Sequence, residues 1–181
     1  AASDVYKRQV SVRYWLGRAK AVTGDAREAQ RLLESVVAAN VTASAGNAKG
    51  LAPASPVNDR PLADLYRSLG AALRKSGQVD RAREALQASL QQHTDQALTF
   101  VELGLTDLGA GDRASALGHF KRAVAAAPDY ALGHYHLGET LLAAGEPLEA
   151  AQVLQRALAL QPNSAAWHHR LARVHLALYD S

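Results

Sequence analysis

The stretch HLGETLLAAGEPLEAAQVLQRALALQP, residues 136–162, decides the fold. Gly138 stands near the start of a run otherwise suited to helix, where a glycine costs about 1 kcal/mol against alanine. Thirty-four residues back, at 102–128, the chain reads ELGLTDLGAGDRASALGHFKRAVAAAP, with Gly104 in the same slot. A further step of 34 gives SLGAALRKSGQVDRAREALQASLQQHT, 68–94, with Gly70. A destabilising choice made at a fixed interval implies a compensation made at the same interval.

Aligned on this pair, the chain shows Leu16-Gly17, Leu69-Gly70, Leu103-Gly104, Leu137-Gly138 and finally Leu171-Ala172. The last three intervals are 34 residues each, and the first is 34 plus 19. Each unit then carries a second glycine (Gly24, Gly77, Gly111, Gly145), an alanine (Ala29, Ala82, Ala116, Ala150) and a large apolar residue (Leu33, Leu86, Phe120, Leu154). The second glycines suit a left-handed helix cap. Asp25, Asp112 and Glu146 follow as caps for the next helix, with Pro147 just inside its start. Pro128 and Pro162 stop the second helix of their units. The Leu-Gly glycine and the later alanine let two antiparallel helices approach closely, which compensates the helix penalty. The spacing predicts helices at 11–23, 26–40, 63–76, 79–92, 97–110, 113–127, 131–144, 147–161 and 165–178.

This spacing and residue set resembles the tetratricopeptide repeat family. The resemblance implies an all-α fold, a right-handed superhelical solenoid of antiparallel helix pairs. It divides the chain into a degenerate unit at 10–43, full units at 63–96, 97–130 and 131–164, and the first helix of a further, truncated unit at 165–181. The first unit departs from the pattern at Lys20 and Trp15. Residues 44–62 interrupt the register with three of the six prolines in a Gly/Ala/Asn background and are expected to be a flexible insertion. Near the start, DVYKRQ resembles the translated end of a sequencing adapter, so 1–9 are expected to be a non-native or disordered tail on a bacterial-like metagenomic fragment.

Composition narrows the function classes. The chain is 48% hydrophobic but 6% aromatic, and its 20 basic and 17 acidic residues leave a net charge of +3. That scatter lacks the basic stripe of a nucleic-acid binder. No cysteine is present, which excludes thiolate metal sites and disulfides. No apolar run is long enough to span a membrane. His136, Glu139 and His169 are conceivable zinc ligands, but no HxxxH or HExxH spacing supports them. Neither GxSxG nor a phosphate loop occurs, so the sequence predicts neither catalysis nor a cofactor. Asn40-Val41-Thr42 matches a glycosylation acceptor.

The resemblance implies that first helices line a concave surface for a peptide or partner helix. Positions beside the Leu-Gly pair assign that surface Tyr14, Trp15, Arg18, Arg67, Arg74, Glu102, Leu105, Tyr135, His136, Glu139, His169, Arg170 and Arg173. The carboxylate clamp of chaperone-binding family members is missing, since its positions hold Tyr14, Arg18, Ser68, Leu98 and Glu102. The expected function is a non-catalytic protein-interaction scaffold. The alternative is an accessory region of a larger transferase- or kinase-type enzyme. Leu176 and Ala172, outside the apolar stripe of the last helix, predict weak self-association through that end.

Overall fold

The computed structural model describes residues 2–46, 62–92 and 96–179. Among these, every regular element is an α-helix. The chain divides into two compact units, 1–95 and 96–181. The first holds α1 (Ala2–Thr23), α2 (Ala26–Gly46), α3 (Leu62–Lys75) and α4 (Val79–Leu90). The second holds α5 (Gln96–Gly109), α6 (Arg113–Ala126), α7 (Ala131–Ala143), α8 (Pro147–Leu160) and α9 (Ala165–Tyr179).

The recurrent glycines meet large side chains of the partner helix. A Cβ added to Gly70 would lie 2.5 Å from Leu86 Cγ, one on Gly104 2.6 Å from Phe120 Cε1, and one on Gly138 2.6 Å from Leu154 Cγ. Gly17 repeats the contact with Leu33 at 2.9 Å. The small residue thus receives the large apolar residue of the unit. The alanine contributes through its backbone, with Ala82 O and Ala150 O each 3.3 Å from the corresponding Cβ positions. Leu33, Leu86, Phe120 and Leu154 are fully buried as a result.

The second glycines end the first helices. Gly24, Gly77, Gly111 and Gly145 all have positive φ, between 80° and 95°. The amides that follow them bond back five residues: Asp25 to Lys20 O at 3.0 Å, Gln78 to Leu73 O at 2.9 Å, Asp112 to Asp107 O at 2.9 Å and Glu146 to Leu141 O at 3.0 Å. This is the Schellman pattern, and it fixes the turn into the second helix. Asp112 then caps α6 by accepting from Ser115 N at 3.0 Å, and Asp25 accepts from Glu28 N at 3.4 Å. Glu146 makes no side-chain cap bond. Its carboxyl sits one methylene too far along, and Pro147 starts α8 in its place.

In unit 1, Val10, Tyr14, Leu33, Val36, Leu65, Leu69 and Leu73 form one core across α1, α2 and α3. Gln30 on α2 accepts from Gln78 Nε2 at 2.7 Å, tying α2 to the start of α4. Lys20, unusual for its position, pairs with Glu28 at 2.6 Å across the α1–α2 turn. In unit 2, α5, α7 and α9 pack in succession, and each second helix also contacts the first helix that follows it. Trp167 and Val174 bury the inner face of α9.

Three expectations change. Residues 2–9, expected as a disordered tail, are helical and belong to α1. No glycine or proline lies between Ala2 and Val10 to break that helix, though Val5, Arg8 and Gln9 remain exposed. The second helix runs past residue 40 to Gly46, since no glycine or proline from 41 to 45 breaks it; within it Thr42 Oγ1 donates to Ala38 O and Ala39 O at 3.1 and 3.0 Å. The start of the expected insertion, 44–46, is therefore helix. Leu62, at its other end, begins α3, and 47–61 lie outside the described residues.

Gly104→Ala should lower thermal stability, since overpacking against Phe120 costs about 1–3 kcal/mol and exceeds the roughly 1 kcal/mol gained in helix propensity. A methyl added at Gly118, in α6, would meet nothing within 4 Å, so Gly118→Ala should raise stability by about 1 kcal/mol. Thermal melts of the two variants should shift in opposite directions, and a stabilised Gly104→Ala would refute the packing account.

Candidate functional site

The predicted partner-binding residues fall on first helices in both units: Tyr14, Trp15, Arg18, Arg67 and Arg74 in the first, and the remaining eight in the second. Each unit draws some of them into one cluster around a residue that the repeat pattern does not single out.

In unit 1 that residue is Asp64, on α3 and only 8% exposed. Tyr14 donates its hydroxyl to Asp64 Oδ2, and Arg18 Nη1 donates to the same oxygen at 2.9 Å. Arg67 Nη2 donates to Oδ1. Burial pushes the Asp64 carboxyl up, but the Tyr14 hydrogen bond and the Arg67 and Arg18 charges outweigh it and hold the group below its ordinary value. Tyr14 is pushed up, first by its own burial and then by the neighbouring carboxylate. Trp15 stands edge-on to Tyr14 at 5.5 Å, with the Arg18 guanidinium 5.5 Å from its centroid. Arg74 lies near the C-terminus of α3, away from this cluster in sequence and part-exposed.

In unit 2 that residue is Trp167, buried on the apolar stripe of α9. Tyr135 stacks on it with centroids 5.0 Å apart and planes at 12°. Tyr135 donates its hydroxyl to Glu139 Oε2 at 3.2 Å, and Arg170 pairs with Glu139 Oε1. Burial, then the Glu139 charge, raises the Tyr135 phenol. His136 stacks on Phe120 at 5.5 Å. Glu102 and Leu105 are half-buried on α5, while His169 and Arg173 are exposed on α9. Among the described residues no cluster of three or more His, Cys, Asp or Glu side chains could hold a metal ion. Asn40, in the glycosylation motif, is buried inside α2.

Two further polar features carry no local sequence signal. His134 Nε2 donates to Pro128 O and His168 Nε2 to Pro162 O, each at 2.8 Å and 34 residues apart. The repeated bond fastens α7 and α9 each to the proline just beyond the preceding second helix. Asp107 is buried where other units place Leu73 and Leu141, and His119 Nδ1 meets its Oδ2 at 2.7 Å.

The sign of the Asp64 contribution follows from its lowered folded-state value. Its stabilisation is fully present above the ordinary carboxyl value of 3.8 and is lost as pH falls through the lower folded value. Asp64→Asn should cost about 1–3 kcal/mol near neutral pH by leaving the buried Tyr14 donor without its charged acceptor. The variant should also lose less further stability than the parent between about pH 4 and pH 2. Denaturant melts across that range measure both, and parallel pH profiles would contradict the assignment.

The sequence of residues 107–174 matches the tetratricopeptide repeat family. No curated protein matches the chain. Among solved structures, MamA is 20% identical over 89% of this chain and 83% of its own, with a TM-score of 0.65. MamA from AMB-1 is 26% identical over 94% and 82%, with a TM-score of 0.61. The first TPR of Spaghetti (RPAP3), solved bound to the HSP90 peptide SRMEEVD, is 20% identical over 65% and 95%, with a TM-score of 0.62. The fold class is the all-α solenoid of helix pairs, which in general serves as a non-catalytic protein-interaction scaffold. With the Leu-Gly, capping-glycine and large-apolar positions each filling the same structural role in successive units, residues 107–174 match the tetratricopeptide repeat family and the helix pairs before them repeat its geometry.

Proposed function

We propose that this scaffold is non-catalytic and binds a peptide or helix along the exposed faces of its first helices. The observation that carries the reading is the unit 2 cluster. Tyr135, Glu139 and Arg170 are half-buried, held by one another and by Trp167, and flanked by exposed His169 and Arg173. Such a surface combines an amphipathic aromatic with arginines at low ordering cost, the composition found at binding hot spots. The likeness to a domain solved with a bound peptide supports this choice of ligand class. The missing clamp residues argue against the HSP90 tail itself as the ligand. The outer face of α9, where Leu176 is 63% and Tyr179 90% exposed, supports weak self-association as a secondary property.

Peptides selected from a display library against the full chain provide the test. Arg170→Ala and Arg173→Glu should each weaken the best peptide at least about tenfold, roughly 1.4 kcal/mol, with melting temperatures near the parent's. Arg156→Glu, on the second helix α8, should leave affinity unchanged. Loss of binding in Arg156→Glu with both α9 variants unaffected would overturn the reading. Tyr135→Ala is a poor probe, because the lost stack on Trp167 would also reduce stability.

A further inference from the structure

The unit 1 cluster carries more charge than its packing role requires. One guanidinium would neutralise Asp64, yet two face it, from Arg18 and Arg67. Among the described residues neither arginine pairs with any other carboxylate. Their hydrogen bonds use Nη1 of Arg18 and Nη2 of Arg67, which leaves N–H groups on Nε and the second Nη of each without an acceptor among the described residues. The side chains are 32% and 19% exposed, and the bonds to Asp64 pin one end of each guanidinium. Beside them Trp15 is 50% exposed, its ring steered by Tyr14 and by the Arg18 guanidinium.

A fixed fork of spare N–H donors with a net positive charge is matched by a carboxylate, which accepts two parallel bonds. The half-exposed indole next to it is matched by an apolar or aromatic group one residue away. We propose that Arg18, Arg67 and Trp15 form a docking site for a partner segment carrying an aspartate or glutamate beside an apolar side chain, with Asp64 as the positioning residue. The site rests on the peptide-binding reading above and gives it a ligand class in unit 1. Charge complementarity selects the occupant: a segment without an acidic group would desolvate the arginines without replacing their water.

Asp64 orients the pair rather than contacting the ligand. Removing its charge would raise the local positive charge but free both guanidinium groups. Simple coulombic attraction therefore predicts tighter binding after Asp64→Asn, whereas a positioned fork predicts weaker binding. Arg18→Lys likewise keeps the charge and loses the fork.

The test titrates two blocked tetrapeptides, Gly-Phe-Glu-Gly and Gly-Phe-Gln-Gly, into the isotope-labelled full chain at low salt. The readouts are the arginine Nε–H and tryptophan indole resonances. The glutamate peptide should shift the Arg18, Arg67 and Trp15 signals saturably, and the glutamine peptide should bind at least about tenfold more weakly. Arg18→Gln and Arg67→Gln should each abolish the shifts, and Arg18→Lys and Asp64→Asn should weaken them, with melts confirming that each variant is folded. Equal binding of the two peptides overturns the proposal, and this comparison uses the unaltered protein, so it stands even if a variant fails to fold. Shifts that survive both glutamine substitutions, or that gather on α7 and α9 alone, also overturn it while leaving the unit 2 reading intact. Conversely, unit 1 shifts that persist while display-selected peptides ignore Arg170→Ala would sink the unit 2 reading and spare this site.

Discussion

On α1, α3, α5 and α7 a glycine Cα lies against a leucine or phenylalanine of the partner helix, at a separation no Cβ would permit. The contact sets how closely the two helices pack, and everything else in a unit is arranged around it. The large side chain becomes fully buried, and its transfer from water offsets what the mid-helix glycine costs, since burying a leucine or phenylalanine contributes about 1.5–3 kcal/mol against about 1. The positive-φ glycine seven residues later then stops the first helix where the second must begin. Both glycines are needed for opposite reasons: one for the absence of a side chain in a crowded place, the other for a backbone conformation in an open one.

Because the packing is settled by these positions, the residues two places either side of them are free to vary in charge. Tyr14 and Tyr135 occupy the same register, two residues before the leucine of the pair, and each donates its hydroxyl to a carboxylate. Two residues after the leucine the charge reverses, with Arg18 in one unit and Glu139 in the other. Each is met by the opposite charge from the next first helix, Asp64 and Arg170 respectively. The two bridges start from one register with opposite polarity but end about one helical turn apart, at Asp64 five residues before Leu69 and at Arg170 one residue before Leu171, so the two units present different chemistry. Unit 1 is left with a surplus of guanidinium, whereas the Glu139–Arg170 pair balances.

How far the sequence can be read depends on whether a residue's role is set by its own backbone. The capping glycines, the prolines and the Leu-Gly pair declare themselves through local geometry, and the helices from α3 onward lie close to where their spacing places them. The partner of the glycine is harder. The sequence points to the alanine, but the structure seats the larger residue four positions on, because only a bulky side chain fills the space a missing Cβ leaves. Asp64, the stack of Tyr135 on Trp167 and the Asp107–His119 pair are invisible for another reason. A single acid or indole in a helix does not reveal which side chain of a neighbouring helix it will meet, and only the fold brings Tyr14 to Asp64 across 50 residues. Helices α1 and α2 outrun the repeat pattern because departure from that pattern is not departure from helix, and nothing in 2–9 or 41–45 breaks one.

The central claim is the glycine-to-large-residue contact, and the Gly104–Phe120 pair tests it most directly, since an aromatic ring close to a Cα imposes its own magnetic signature. In nuclear Overhauser spectra of the labelled protein, the Gly104 Hα protons should show strong cross-peaks to the Phe120 ring and a clear ring-current displacement from ordinary helical glycine values. The exposed Gly118 Hα protons should show neither. Gly104 protons at unperturbed shifts, without contact to Phe120, would contradict the account.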